Sequence, residues 1–500
     1  MSFVLACDLG GSSLRAGLVD RQGAIIASHS VFSQRIAGEG GASEADPVLW
    51  WQDFVAAVEA LAATVPDAFA EVAAISITAI TRTQVLLDGQ GRVLRPAILW
   101  NDTRAESSID ALREQYPPDH PEIVNLNAFH PLARLWWLHQ AEPDVARSVA
   151  AVIEPKDYLN HCLTGVIASD HVSMARLSAS AQPGADGSSL FGAVQIDYQV
   201  LPRLLEPGAV AGSVLDGLGG ALSKLAGLPV ICMANDTWAT VVGLGAMRSD
   251  HAYNISGTTE VLGIVAGESA RAEGLLTVAW GDGLTQIGGP SQSGADSLVW
   301  LLDLLGQPRA EGAVSALSTL LAGTRHAESV IFLPYLSGER VPHWDPSLRG
   351  ALLGLNRQHR GVDLAFAVME GVGYLNRLVL DRAETAIGRQ VTELRFGGGG
   401  ANNEIWCQIK ADILNRPVVI TDCEEHGLLG AAITAWSALD ERFSLSSAQE
   451  RLVRIARRYT PRPERRQHYD QLFALFRQAE DAVRPLSHQL VRLQGREAIS

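Results

Sequence analysis

Asp8-Leu9-Gly10-Gly11-Ser12-Ser13-Leu14-Arg15-Ala16-Gly17-Leu18-Val19 reads as the end of a strand, a small-residue turn and a second strand. The same pattern returns 246 residues later, about half the chain length, as Asn254-Ile255-Ser256-Gly257-Thr258-Thr259-Glu260-Val261-Leu262-Gly263-Ile264-Val265. The two segments align without a gap: Gly11 falls on Gly257, Ser12 and Ser13 on Thr258 and Thr259, and Gly17 on Gly263. A repeat at this spacing points to two like domains rather than a solenoid. Any two β-hairpins share glycines and hydroxyls, so the repeat needs support from elsewhere in the chain.

Working outward, Phe3 to Cys7 is an apolar β run entering the first turn, and Ala24 to Val31 continues the sheet beyond Asp20-Arg21-Gln22-Gly23. Asp46-Pro47 opens a helix with Leu49, Trp50, Phe54, Val55, Val58 and Leu61 at helical spacing. Val72 to Thr78 reads as a strand, and Thr83 to Leu87 with Val93 to Trp100 as a further hairpin. Pro131 to Gln140, Lys156 to Thr164 and Leu298 to Leu305 read as helices, and the stretch after Leu439 (Leu452, Ile455, Tyr469, Leu472, Phe473, Phe476) as a packing helix pair with a solvated basic face.

Five hundred residues exceed one ordinary core, and 47% hydrophobic against 19% charged residues is an ordinary globular balance. A net charge of −15 argues against a nucleic-acid partner, whose footprint would be a basic face, but not against a nucleotide held by backbone N–H groups. The five cysteines are dispersed, with no CxxC spacing, as expected of buried thiols in a reducing, cytoplasmic setting. The start, MSFVLACDLGG, lacks a basic n-region and reads as a strand, not a signal peptide; no apolar run approaches a membrane span.

Gly and Ser/Thr turns between strands expose consecutive N–H groups and short hydroxyls, a concave array that suits phosphate oxygens. Either turn alone is equally an ordinary hairpin; paired in matched halves, they suggest opposed phosphate clamps. The P-loop class is excluded, because all three lysines (Lys156, Lys224, Lys410) have the wrong successor for GK[ST]. A Rossmann fingerprint is also missing, since the turn at 10–13 leads into a strand. A third glycine cluster, Gly397-Gly398-Gly399-Gly400, lies between a β run and the helical Ile405 to Leu414, where bare backbone would admit a flat base. Asp236 ends the β run 229–233 and begins a helix, a position that suits an N-cap and a general base equally. Asp8 poses the same question, with a metal-bound water as its functional partner.

Longer motifs extend the reading. Gly350-Ala351-Leu352-Leu353-Gly354-Leu355, seven residues, then Asp363-Leu364-Ala365-Phe366-Ala367-Val368-Met369-Glu370 match the C-terminal pattern of the FGGY carbohydrate kinases throughout. Phe129 to Ala141 resembles their N-terminal pattern more loosely, with Arg134 where Lys is usual and Ala141 where a polar residue is usual. Leu99 to Arg104, Pro155 to Leu159 and Phe332 to Arg340 are further family-like stretches. The chain thus resembles this family of the actin-like ATPase superfamily over nearly its whole length, with xylulokinase-like segments such as Arg95 to Asp102.

The resemblance implies an α/β fold of two ribonuclease-H-like domains flanking a nucleotide cleft: 1–246 as the N-terminal kinase domain, 247–440 as the C-terminal one, and 441–500 as a helical extension. It implies ATP and Mg²⁺ as cofactors and a small sugar or polyol as substrate; a homodimer stays open. It assigns Gly11, Ser12, Ser13 and Arg15 to the first phosphate turn and Gly257, Thr258 and Thr259 to the second. Gly294 and Leu298 would border the nucleotide, with Gly399, Gly400 and Asn403 beside adenosine. Asp236 becomes the base that takes the proton of the attacking hydroxyl, and Asp8 positions Mg²⁺ through water. Where xylulokinases show Met-His and glycerol kinases Arg-Glu, this chain has Thr81-Arg82, expected with Asp102 and Phe129 at the substrate. A ketopentose such as xylulose is the first expectation, ahead of a tetritol, hexitol or aldonic acid. The reading from another class is a sugar-responsive binding protein of the same fold without catalysis.

Overall fold

Phe3–Leu9 is a near-continuous apolar run with almost every side chain buried, which places it in the middle of a sheet rather than at an edge. In the computed structural model, which describes residues 2–33, 36–115, 120–194, 196–307, 312–440 and 442–497, it is flanked on both sides. Ser13–Asp20 pairs with it antiparallel, register Asp8↔Arg15, and Val72–Ala79 pairs parallel, register Asp8↔Thr78. The full sheet has six strands in the order 210–213, 229–231, 72–79, 3–9, 13–20, 25–32. Helix Pro47–Thr64, capped by Asp46 through Val48 N–H, buries Trp50, Phe54, Ala57, Val58 and Leu61 on this unit's core, while Leu49 stays outside.

The second unit repeats the plan. His251–Ser256 lies between antiparallel Glu260–Ala266 and parallel Glu393–Gly397, in a seven-stranded sheet ordered 276–279, 285–290, 260–266, 251–256, 393–397, 418–421, 455–459. Strand for strand, 3–9, 13–20, 25–32, 72–79 and 229–231 correspond to 251–256, 260–266, 285–290, 393–397 and 418–421 in position and direction. The repeat read from two short segments therefore spans five strands.

The chain crosses between units more than once. One unit comprises Met1–Gly245 with Glu425–Val453, the other Ala246–Glu424 with Arg454–Ser500. These units differ from a division at 246 and 440, because helix His426–Leu439 packs on strand Phe3–Leu9 and on helix Asp236–Gly243. Bare glycines permit that approach: a Cβ on Gly430 would meet Ala239 O at 1.8 Å, and one on Gly243 would meet His426 O at 2.0 Å.

The hairpin expected over 83–100 is present: Asp88 N–H donates to Arg92 O at 2.9 Å and Leu94 N–H to Leu86 O at 3.0 Å, and Gln84 bridges Ile98. Val85–Leu87 also pairs with Ala151–Ile153, and Ala97–Ile98 with Ser43–Ala45. One local expectation is corrected. Ile455 belongs to strand Ile455–Tyr459, paired with Val418–Thr421, rather than to a helix. The expected helices are present as Pro131–Ala141, Pro155–Thr164, Asp296–Leu304 and, at the C-terminal end, Arg466–Glu497. No described helix is long and apolar enough to cross a membrane.

Candidate active site

The C-terminal ends of the parallel strands 3–9, 72–79 and 229–231 gather Asp8, Thr81, Arg82 and Asp236 at one edge of the first unit's sheet. Two hydrogen bonds tie that edge together: Ile80 N–H donates to Leu9 O at 3.0 Å, and Thr78 Oγ1–H to Ala234 O at 3.0 Å.

The sequence left Asp236 divided between cap and base. The structure gives the cap to its neighbour: Asn235 has extended backbone angles and its side chain accepts from Trp238 N–H at 3.1 Å. Asp236 is the first residue inside the helix, and its Oδ1 accepts Thr237 N–H at 2.7 Å. Burial pushes its carboxyl up to about 6 despite that bond. Asp8 is pushed to about 7, first by burial and then by the charge of Asp236, with Arg15 pulling the other way. Asp8 thus senses the charge of Asp236 within one unit, and its Oδ1 is buried without a hydrogen-bond partner.

This arrangement fits a hydrated divalent cation. Among the described residues no group of three or more His, Cys, Asp or Glu could enclose a metal, so most of its ligands would be water and phosphate, the usual coordination of Mg²⁺ with a nucleotide. A lone orphaned carboxylate oxygen in a low-dielectric setting fits such an ion through water.

The first turn is closed by Gly10 N–H to Ser13 O at 2.9 Å, with Ser12 exposed at its tip and Gly11 and Ser13 half-buried. Arg15 is not loose beside it: Nε donates to Ser30 Oγ at 2.7 Å and the guanidinium pairs with Glu425. The second turn has the same closure, Gly257 N–H to Thr259 O at 2.9 Å, with Gly257 and Thr258 exposed. The two other nucleotide-side segments are brought against it. Gly294 lies where a Cβ would be 2.6 Å from Thr258 O, and Ala295 N–H donates to Gly257 O at 3.0 Å. Gly400 lies where a Cβ would be 2.6 Å from Ser256 Oγ, whereas a Cβ on Gly399 would meet open space. Leu298 is 4% exposed and serves the core rather than a surface. Asn403 caps helix Glu404–Leu414 through Trp406 N–H at 2.9 Å, so its side-chain oxygen is already engaged.

At the expected substrate residues the picture is mixed. Arg82 sits in the left-handed region, φ 54°. Phe129 is exposed. Asp102 is 1% exposed and committed: it accepts Ser43 N–H at 2.9 Å and binds Arg104 through Nε and Nη2 at 2.9 and 2.7 Å.

Several residues of this region went unread. Gly427 leaves room for Asp8, an approach that sequence spacing cannot reveal. Glu339 accepts from Gln292 N–H at 2.6 Å, Arg340 N–H at 2.7 Å, Ser293 Oγ–H at 2.8 Å and Ser291 Oγ–H at 3.0 Å, holding the loop beside the second turn. It stands inside the stretch Phe332 to Arg340, and an acidic residue in an otherwise buried segment was the available signal.

Family models give the affiliation. Residues 3–243 match the N-terminal domain of the FGGY family of carbohydrate kinases and residues 252–439 its C-terminal domain. This chain belongs to the FGGY family of carbohydrate kinases. It is an enzyme that transfers a phosphoryl group from ATP to a sugar, on the actin-like ATPase fold. Among FGGY relatives, the xylulose kinase of Escherichia coli (strain K12) is 31% identical over 484 residues, covering 94% of this chain and 98% of the relative. The xylulose kinase of Lactococcus lactis subsp. lactis (strain IL1403) is 28% identical over 98% of this chain and 99% of its own length. A crystal structure of a xyloylose kinase from Brucella ovis superposes with a TM-score of 0.86 at 28% identity, covering 97% of this chain and 100% of that one.

Proposed function

We propose that this FGGY kinase phosphorylates a ketopentose, xylulose first, with Asp236 as general base and Mg-ATP as donor. The substrate rests on the full-length similarity to xylulose kinases. The observation that carries the mechanism is the division of labour at Asn235-Asp236: the asparagine caps the helix, leaving a buried carboxylate of elevated basicity at the strand end.

A sugar hydroxyl is a poor nucleophile until its proton has a destination. Asp236, with its carboxyl near 6, is ionised at neutral pH yet basic enough to accept that proton as the bond to phosphorus forms. Bound Mg²⁺ would neutralise phosphate charge, and Asp8 would hold it through water. Gly11, Ser12 and Ser13 offer N–H and hydroxyl donors to phosphate oxygens, and Gly257, Thr258 and Thr259 offer the same set in the second unit. Arg15, already paired with Glu425, biases the charge of Asp8. Gly294, Gly399, Gly400 and Asn403 would line the adenosine, with Leu298 supporting them from the core. Thr81 and Arg82 would meet the sugar, flanked by Phe129, while Asp102 anchors the neighbouring turn.

A second reading is an aldonic acid, because the Arg82 guanidinium matches a carboxylate in charge and geometry. ADP release measured with and without xylulose, other pentuloses, tetritols, hexitols and aldonates separates the readings. Release that depends on xylulose supports the proposal, and dependence on an aldonate favours the second reading. Sugar-independent release would mean an ATPase, and no release would mean a binding protein.

A further inference from the structure

Arg82 holds a left-handed backbone conformation, φ 54°, which a residue with a side chain seldom adopts unless its surroundings favour it. Two buried ionisable side chains supply such surroundings. Arg82 N–H donates to Glu154 Oε1 at 2.7 Å, and Arg82 O accepts from Nη1 of Arg134. Glu154 is 4% and Arg134 1% exposed. We propose that Arg134 and Glu154 are positioning residues that clamp the Arg82 backbone, one at its C=O and the other at its N–H, and thereby determine which acceptor this kinase admits. The proposal rests on the reading that the 81–82 turn meets the sugar.

The clamp is braced beyond Arg82. The second arm of the Arg134 guanidinium donates to Trp100 O at 2.7 Å, so one planar fork joins the 81–82 turn to the turn that leads to Asp102. A lysine ammonium is a point donor without that fixed divergence, which gives a physical consequence to Arg134 standing where the family usually has Lys. Helix Pro131–Ala141 carries Arg134, and its start is tied to the same region by Gln84 Nε2–H donating to Pro131 O at 3.0 Å. Glu154 opens helix Pro155–Thr164, where its own N–H donates to Asp157 Oδ2 at 3.0 Å and Lys156 pairs with Asp157 and Asp170. Buried ionisable groups of this kind seldom add net stability over apolar packing. Here they fix the two peptides that flank Arg82, where this chain departs from both xylulokinases and glycerol kinases.

The test is steady-state kinetics with xylulose, or the best acceptor of the panel, varied against ATP. Arg134→Met and Glu154→Ala are expected to raise the acceptor KM on the order of tenfold, leaving the ATP KM within about twofold. Glu154→Gln keeps a carbonyl oxygen for the Arg82 N–H and is expected to restore the acceptor KM. In an Arg82→Gly background, which leaves no side chain at this turn to position, the same substitutions should add no further rise. Should Arg134→Met or Glu154→Ala fail to fold, Arg134→Lys serves: a severalfold rise confined to the acceptor KM supports the clamp and an unchanged KM overturns it. If Arg82→Ala raises the acceptor KM while the Arg134 and Glu154 variants do not, the clamp alone is overturned. An unchanged acceptor KM in Arg82→Ala would instead remove the role of the turn, and the clamp with it.

Discussion

A Cβ placed on Gly427 would lie 2.1 Å from Asp8 Oδ2. The residue that gives Asp8 its room thus comes from the segment Glu425–Val453, which returns to the first unit late in the chain. The carboxylate is held between a strand and a bare helical turn, and its Oδ1 has no protein partner.

Gly427→Ala should therefore displace Asp8 while leaving the fold. Misplacement near 1 Å at a reacting centre can cost on the order of a hundredfold in rate. The expected outcome is a fall in kcat of that order with an unchanged circular-dichroism spectrum. Wild-type turnover in Gly427→Ala would remove Asp8 from the reaction.

Asn235→Ala removes the helix cap beside Asp236, the proposed base. Loss of an N-cap destabilises by about 1 kcal/mol, read as a lower denaturant midpoint. Asn235→Asp keeps the accepting oxygen and should retain most of that stability. Since Asp236 occupies the first helical position, its activity should fall in the alanine variant by more than the fraction unfolded accounts for.

Glu339 holds the loop of Ser291 and Ser293, and Gly294 and Ala295 lie directly against the second turn. Glu339→Ala leaves buried donors unmatched, at about 1–3 kcal/mol. The ATP KM is expected to rise severalfold with the acceptor KM unchanged, and a rise in the acceptor KM alone would contradict this placement.

Glu154 gives a pH dependence of stability. Burial, the leading cause, and the charges of Asp157 and Asp170 push its carboxyl from an ordinary 4.5 to about 8, with Lys156 opposing. The folded chain therefore keeps a proton that the unfolded chain releases between those values. The contribution is fully present below 4.5, declines as pH rises, and is gone above about 8. Denaturant midpoints across pH 5–9 should fall less steeply in Glu154→Gln than in wild type, because the amide has no proton to lose.

The features legible in the sequence are those that the chain makes locally. The turns at 10–13 and 257–259 declare themselves because glycine and hydroxyl residues are contiguous there, and alternation of apolar side chains marks the strands beside them. The strand–helix junction at Gly397 to Gly400 is legible for the same reason. Contacts between distant segments are not. Val85–Leu87 pairs with the distant Ala151–Ile153 as well as with its near neighbour, and Ile455 became an edge strand through pairing with Thr421. Asn235 and Asp236 are adjacent residues with similar capping preferences, and only the backbone angles separate cap from base. The contacts of Asp102 to Arg104 and to Ser43 N–H are likewise ones that no local pattern announces.

The most direct test replaces the base. Asp236→Asn keeps the size and the Thr237 contact but cannot take up a proton, so sugar phosphorylation should be lost while ATP still binds, as read by calorimetry on the same sample. Phosphorylation at the wild-type rate in Asp236→Asn would contradict the assignment of Asp236 as the base.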